Sequence, residues 1–157
     1  MKKNIIVIIL SVILLYSNTA AEGGNLGLGI IIGEPTGFSA KLWATDNTAF
    51  DGAVAWSLIG NPGERNFNTV LHVHADYLLH NFSLLEVEAG QLPFYYGVGG
   101  RIKFQNKSRV GVRVPVGLAY IFEGKHVDLF LEIVPLFDII PATEFGINSA
   151  IGVRYFF

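Results

Sequence analysis

From residue 25 to residue 157 one pattern recurs: apolar side chains occupy alternate positions, with small or charged ones between them. In "RVGVRVPVGLAYIF", Val110, Val112, Val114, Val116, Leu118, Tyr120 and Phe122 share one parity, while Arg109, Gly111, Arg113, Pro115, Gly117 and Ala119 share the other. A period of two belongs to β-strands, because successive side chains there point to opposite faces. The pattern predicts eight strands: Asn25–Ile32, Gly37–Ala44, Ala49–Leu58, Thr69–His80, Leu92–Phe104, Arg109–Phe122, Val127–Asp138 and Glu144–Phe157. Turn-rich connections such as "GEPTG", "TDNT", "QNKS" and "EGKH" separate them, short enough to join antiparallel neighbours. "NFSLLEVEAGQ" is the least turn-like, and Phe82–Val87 reads as a strand extension or a small amphipathic piece. Within the eight segments no Asp, Glu, Lys or Arg falls on the apolar parity. That segregation is the strongest constraint on the fold.

Alternation by itself does not say which face is enclosed. A soluble calyx turns its apolar face inward, whereas a membrane barrel turns it outward to lipid. Three features favour the membrane arrangement. The polar parity is rich in Gly and Ala and sets five basic residues (Lys41, Arg101, Lys103, Arg113, Arg154) against five acidic ones (Asp51, Asp76, Asp128, Glu132, Asp138), which suits a narrow lumen where each charge needs a partner. Eight strands enclose only enough room for side chains, and the large apolar set would crowd that space. Finally, Phe104, Tyr120, Phe122, Phe137, Tyr155 and Phe157 gather near strand ends, where interfacial girdles lie. The expectation is an all-β, eight-stranded, antiparallel up-and-down transmembrane β-barrel.

The beginning of the chain fits export. "MKKNIIVIILSVILLYSNTAAEGG" has a basic start at Lys2 and Lys3, an apolar run from Ile5 to Tyr16, and Thr19 and Ala21 placed for cleavage. This is the layout of a cleavable signal peptide over residues 1–21, leaving 22–157 as one barrel domain. Without Lys2 and Lys3, 9 basic residues face 13 acidic ones, a net charge near −4 that excludes an ordinary nucleic-acid binder. The chain has no cysteine, so neither disulfides nor a lipidated mature N-terminus is available.

At the other end, "INSAIGVRYFF" resembles the C-terminal targeting signal of bacterial outer-membrane barrels. The resemblance implies that Ile151, Val153, Tyr155 and Phe157 are read by the barrel-assembly machinery. Residues 24–157 as a whole resemble the small eight-stranded barrels of the OmpA and OmpX type. More narrowly, "GLGIIIGEPTGFSAKLW", "LPFYYGVGGRIKF" and "RVGVRVPVGLAYIF" resemble an uncharacterised family of such barrels. This implies a monomer in the bacterial outer membrane, surrounded by its lipid, but it specifies activity poorly.

The most chemical-looking stretch is "LHVHADYLLH", where His72, His74 and Asp76 share a face and point into the expected lumen. A metal or proton relay there needs further converging ligands, and polar filling paired with Arg101 or Glu132 explains the residues equally well. Ser83 follows His80 by three positions, on the opposite parity, which fails the His-and-Ser pattern of barrel lipid A deacylases. A lumen filled by glycine and charge also departs from the palmitoyl-transferase type. No catalytic, cofactor or metal residue is assigned. The expected lumen network is Lys41, Asp51, His72, His74, Asp76, Arg101, Lys103, Arg113, Asp128, Glu132 and Arg154. A structural or surface-interaction role follows, with the Ile59–Asn68 connection the first candidate for contacting an extracellular protein ligand. A lipid-modifying enzyme, a narrow pore and a soluble lipocalin-like binder are the alternatives.

Overall fold

A computed structural model describes residues 24–59 and 68–157. The expected signal peptide over 1–21 and residues 60–67 of the candidate contact loop lie outside the described residues. The elements are β1 (Leu26–Gly33), β2 (Thr36–Trp43), β3 (Thr48–Ile59), β4 (Asn68–Asn81), β5 (Phe94–Phe104), β6 (Arg109–Arg113), β7 (Val116–Ile121), β8 (Val127–Ile140) and β9 (Glu144–Phe156).

The expected sixth strand, Arg109–Phe122, is two elements rather than one. Proline has no N–H to give to a ladder, and the break falls at Val114 and Pro115, between β6 and β7. Both pieces nonetheless lie between β5 and β8. Val114 N donates to Pro135 O at 3.0 Å and Gly97 N donates to Pro115 O at 2.9 Å, so the wall continues across the gap. Residues 82–93 are neither helix nor regular strand. They form bends, tied back by a bridge from Gln91 to Ile121 and by the Tyr120 hydroxyl donating to Ala89 O at 2.9 Å.

Counting β6 and β7 as one staff, the sheet is a closed ring of eight. β1 pairs with β2 on one side and with β9 on the other, and every neighbouring pair is antiparallel. Following direct partners from Gly27 through Lys41, Asp51, Asp76, Gly99, Arg113 and Leu136 leads to Gly146, ten residues short of Phe156, the direct partner of Gly27 on β9. A stagger of this kind is what strands tilted by roughly 35–45° produce. One rim, here called proximal, carries turns 44–47, 82–93 and 122–126; the distal rim carries, among the described residues, turns 34–35, 105–108 and 141–143.

The polar parity faces inward. Lys41, Asp51, Asp76, Arg101, Lys103, Arg113, Asp128, Glu132, Asp138 and Arg154 are all buried, whereas Phe38, Phe145 and Ile147 are each 63 % exposed. The inward glycines have a spatial role. A Cβ at Gly99 would overlap the Asp76 carboxylate, one at Gly117 the Tyr95 ring, one at Gly152 the Phe130 ring, and one at Gly29 the Arg154 side chain. In each case the glycine is the direct cross-strand partner of the residue it accommodates. Large inward side chains thus lie across the floor left bare by a neighbouring strand.

Candidate functional site

The interior is organised around ions. Near the proximal rim, β9 supplies Arg154, whose Nη1 donates to Asp51 Oδ2 at 2.8 Å and whose Nε donates to Asp128 Oδ1 at 3.2 Å. The Phe130 ring lies 3.9 Å from the guanidinium carbon and covers one face of it. Weakly hydrated and planar, arginine tolerates that placement better than lysine does. Lys41 Nζ lies 3.8 Å from Asp128 Oδ2 and donates to His80 Nε2 at 2.9 Å, an ammonium having only donor hydrogens. Trp43 lies beneath the same ammonium, 4.2 Å from its centroid.

A second group lies at mid-height. Arg113 Nη2 donates to Glu132 Oε1 at 2.8 Å, and its Nε is 2.9 Å from Asp76 Oδ2. The Tyr95 hydroxyl donates to Glu132 Oε2 at 3.0 Å, so this carboxylate uses both oxygens. The third group is distal. Arg101 grips Asp138 through Nη2 at 2.7 and 2.8 Å and through Nε at 3.0 Å. Arg109 lies 3.5 Å from the same carboxylate and pairs with Glu144 at the rim. Lys103 reaches Glu34 only at 4.0 Å.

All eleven residues marked from the sequence therefore point inward, but they do not form one site. Lys41, Asp51, Asp128 and Arg154 meet; Asp76, Arg113 and Glu132 meet; Arg101 and Lys103 find partners separately. His72 and His74 join neither group. His74 Nε2 is 4.0 Å from Asp76 Oδ2, too far for a hydrogen bond, and among the described residues neither ring nitrogen of His72 has a partner. No set of three or more His, Asp or Glu side chains among the described residues is arranged to hold a metal ion. The network expected from the sequence lacks His80, Tyr95 and Asp138, all three of which take part. His80 shares the parity of His72 and Asp76, Tyr95 that of Arg101 and Asp138 that of Asp128, so alternation alone is enough to find them.

The outer surface is a separate feature. Ile30, Val98, Val112, Leu131 and Ile133 are exposed along the middle of the strands, and aromatic pairs flank them. Tyr120–Phe122 and Tyr155–Phe157 stand at the proximal rim with ring centroids 4.7 and 5.1 Å apart; Phe137–Phe145 stands at the distal rim at 5.1 Å. Ile151, Val153, Tyr155 and Phe157 all lie on this outward face.

Among solved structures the chain is similar to the N-terminal β-barrel domain of Pseudomonas aeruginosa OprF, with a TM-score of 0.60 over 87 % of this chain and 100 % of that one, at 12 % identity. The fold is an eight-stranded β-barrel. At that identity the likeness carries the architecture alone, in agreement with the OmpA-type resemblance at the level of fold. No family model matches the chain and no curated protein matches it, so the narrower resemblance to one barrel family rests on its motifs.

Proposed function

We propose that this barrel is an integral outer-membrane protein of structural or surface-interaction type, with a lumen plugged by its ion network. The observation that carries the reading is the inverted face arrangement: ten charged side chains enclosed within the ring while isoleucine, leucine, valine and phenylalanine face outward. In water that arrangement exposes apolar surface far beyond what a monomer tolerates; in a bilayer it is the favoured one. Closure of the ring supports the same reading, since hydrocarbon cannot satisfy an open strand edge. So do the lengths: β3, β4, β8 and β9 have 12, 14, 14 and 13 residues, against roughly 9–11 needed to cross at a tilt. The export leader expected over 1–21 and the outward aromatic end of β9 supply an address consistent with this location.

The plug rests on packing. A void between Ser39, Asp51, His74, Arg113 and Glu132 has about 10 Å³ of free volume, close to what one water needs. A catalytic role has no support in the arrangement of His80 and Ser83, because the Ser83 hydroxyl donates to Asn81 Oδ1 at 3.0 Å while His80 Nε2 is occupied by Lys41.

Two measurements test the reading together. The protein should be extracted only by detergent and run at a different gel position after boiling, and in planar bilayers it should be silent. Recovery as a freely soluble periplasmic protein overturns the membrane placement. Steady conductance from the unaltered protein overturns the plug alone.

A further inference from the structure

The groove at the proximal rim points to a function not contained in the barrel itself. It has a volume of about 420 Å³ and lies at the rim, between the end of β4, the start of the 82–93 connection and the 44–47 turn. Its chemistry changes from one side to the other. Leu79 and Tyr96, both exposed and both on the outward apolar face, form one wall. Asn47, Asn81 and Ser83 form the other, and of the side chains lining it none is an aspartate, glutamate, lysine or arginine.

From this we infer a binding site for one glycerophospholipid with a zwitterionic head group, held at the proximal edge of the apolar belt. This deepens the membrane reading and rests on it. Continuity with the outward face sets the class of ligand, because the Leu79 and Tyr96 wall runs directly into the surface that contacts acyl chains. The uncharged amides and hydroxyl select against a purely anionic head, which lysine or arginine would ordinarily hold. The volume falls in the range of small-ligand sites, roughly 300–1,000 Å³, enough for the head group and glycerol with the tails left in the bilayer.

The site is built rather than incidental. Asn81 Oδ1 accepts from both the Ser83 amide and the Ser83 hydroxyl at 3.0 Å, fixing the turn that forms the polar wall. His80 and Phe82 line the groove as well, their rings stacked with centroids 6.3 Å apart, and Trp43 lies tilted against His80 with centroids 4.4 Å apart. Aromatic rings beside a polar ledge suit the glycerol level of a bilayer. Residues 82–93 are also by far the longest proximal connection, and long ordered connections usually carry function.

The test is native mass spectrometry of the full protein, refolded in mixed micelles containing equal amounts of dioleoyl phosphatidylethanolamine and dioleoyl phosphatidylglycerol. One retained phosphatidylethanolamine per chain is expected. Ser83→Leu and Asn47→Leu, which replace polar ledge with bulk, should each lower retention about tenfold, whereas Val98→Ala on the outward face should not. Heat-modifiable mobility is recorded for every variant, so a failed barrel is recognised as such. Folded, heat-modifiable protein that retains no lipid, prefers phosphatidylglycerol, or binds equally well after both leucine substitutions overturns the site and leaves the membrane reading standing. Protein that refolds without detergent or lipid overturns both.

Discussion

The proximal and distal halves of the lumen hold the same kinds of ions in different conditions. Proximally, Lys41, Asp128 and Arg154 are at most 1 % exposed, Arg154 bonds two carboxylates, and aromatic rings cover both cations. Distally, the side chains of Glu34 and Glu144 are 38 % and 53 % exposed, and the Lys103–Glu34 contact stretches to 4.0 Å. An enclosed ion is tolerated only when its partners replace the water it has lost. Where water reaches one partner, the same pair contributes little. Arg101 and Asp138, though distal, stay buried and closely paired, so the wetter mouth begins beyond them, at Lys103, Glu34 and Glu144, and substitutions should separate it from the sealed floor.

The largest effect is expected at the floor. Arg154→Met leaves Asp51 and Asp128 enclosed without their shared cation and should cost about 3–5 kcal/mol, read as a lower midpoint in urea unfolding followed by gel mobility. Replacing Lys41, Asp51, Asp128 and Arg154 together with apolar residues of similar volume should recover most of that loss, because no enclosed charge is then left without a partner. If Arg154→Met unfolds no earlier than the parent, the floor is not a coupled network.

A steric change comes next. Gly117→Val drives a side chain into the Tyr95 ring, which is anchored on Glu132, and should destabilise by about 1–3 kcal/mol by the same assay. Gly124→Ala, at a turn position with φ of 64° and open space around it, separates backbone strain from crowding. Its cost should be about 1 kcal/mol, the left-handed penalty alone. The smallest effect belongs to the mouth. Lys103→Met should change stability by less than about 1 kcal/mol, and any change should shrink further in high salt. A loss as large as that of Arg154→Met would erase the distinction between the two halves.

Much of this was legible in the sequence because strand parity is rigid: once Val112 is assigned to one face, Arg113 must take the other. All eight wall strands follow from that rule, and the inward direction of the charges from the glycines and balanced ions that share their parity. Pairing did not follow. Asp76 meets Arg113 over Gly99 of the strand between them instead of its own-strand neighbour His74, and Arg101 meets Asp138 over Gly111 in the same way, because the register of three successive strands decides which side chains flank a bare glycine. Nor did alternation expose the interruption at Pro115, since Val114 and Val116 keep parity through it. The groove at Asn47, Asn81 and Ser83 had no sequence signal, because its members come from the 44–47 turn, the end of β4 and the start of the 82–93 connection, brought together only by the pairing of β3 with β4.

The orientation of the faces is tested most directly by spin labels. The chain has no cysteine, so single cysteines at Val112 and Leu131 label uniquely in reconstituted vesicles. Both labels should relax strongly with oxygen, which concentrates in the bilayer, and weakly with a water-soluble nickel chelate, while a label at exposed Lys107 in the 105–108 turn does the reverse. Labels at Val112 and Leu131 that respond to the nickel chelate as strongly as the one at Lys107, or to neither reagent, would contradict a lipid-facing apolar surface.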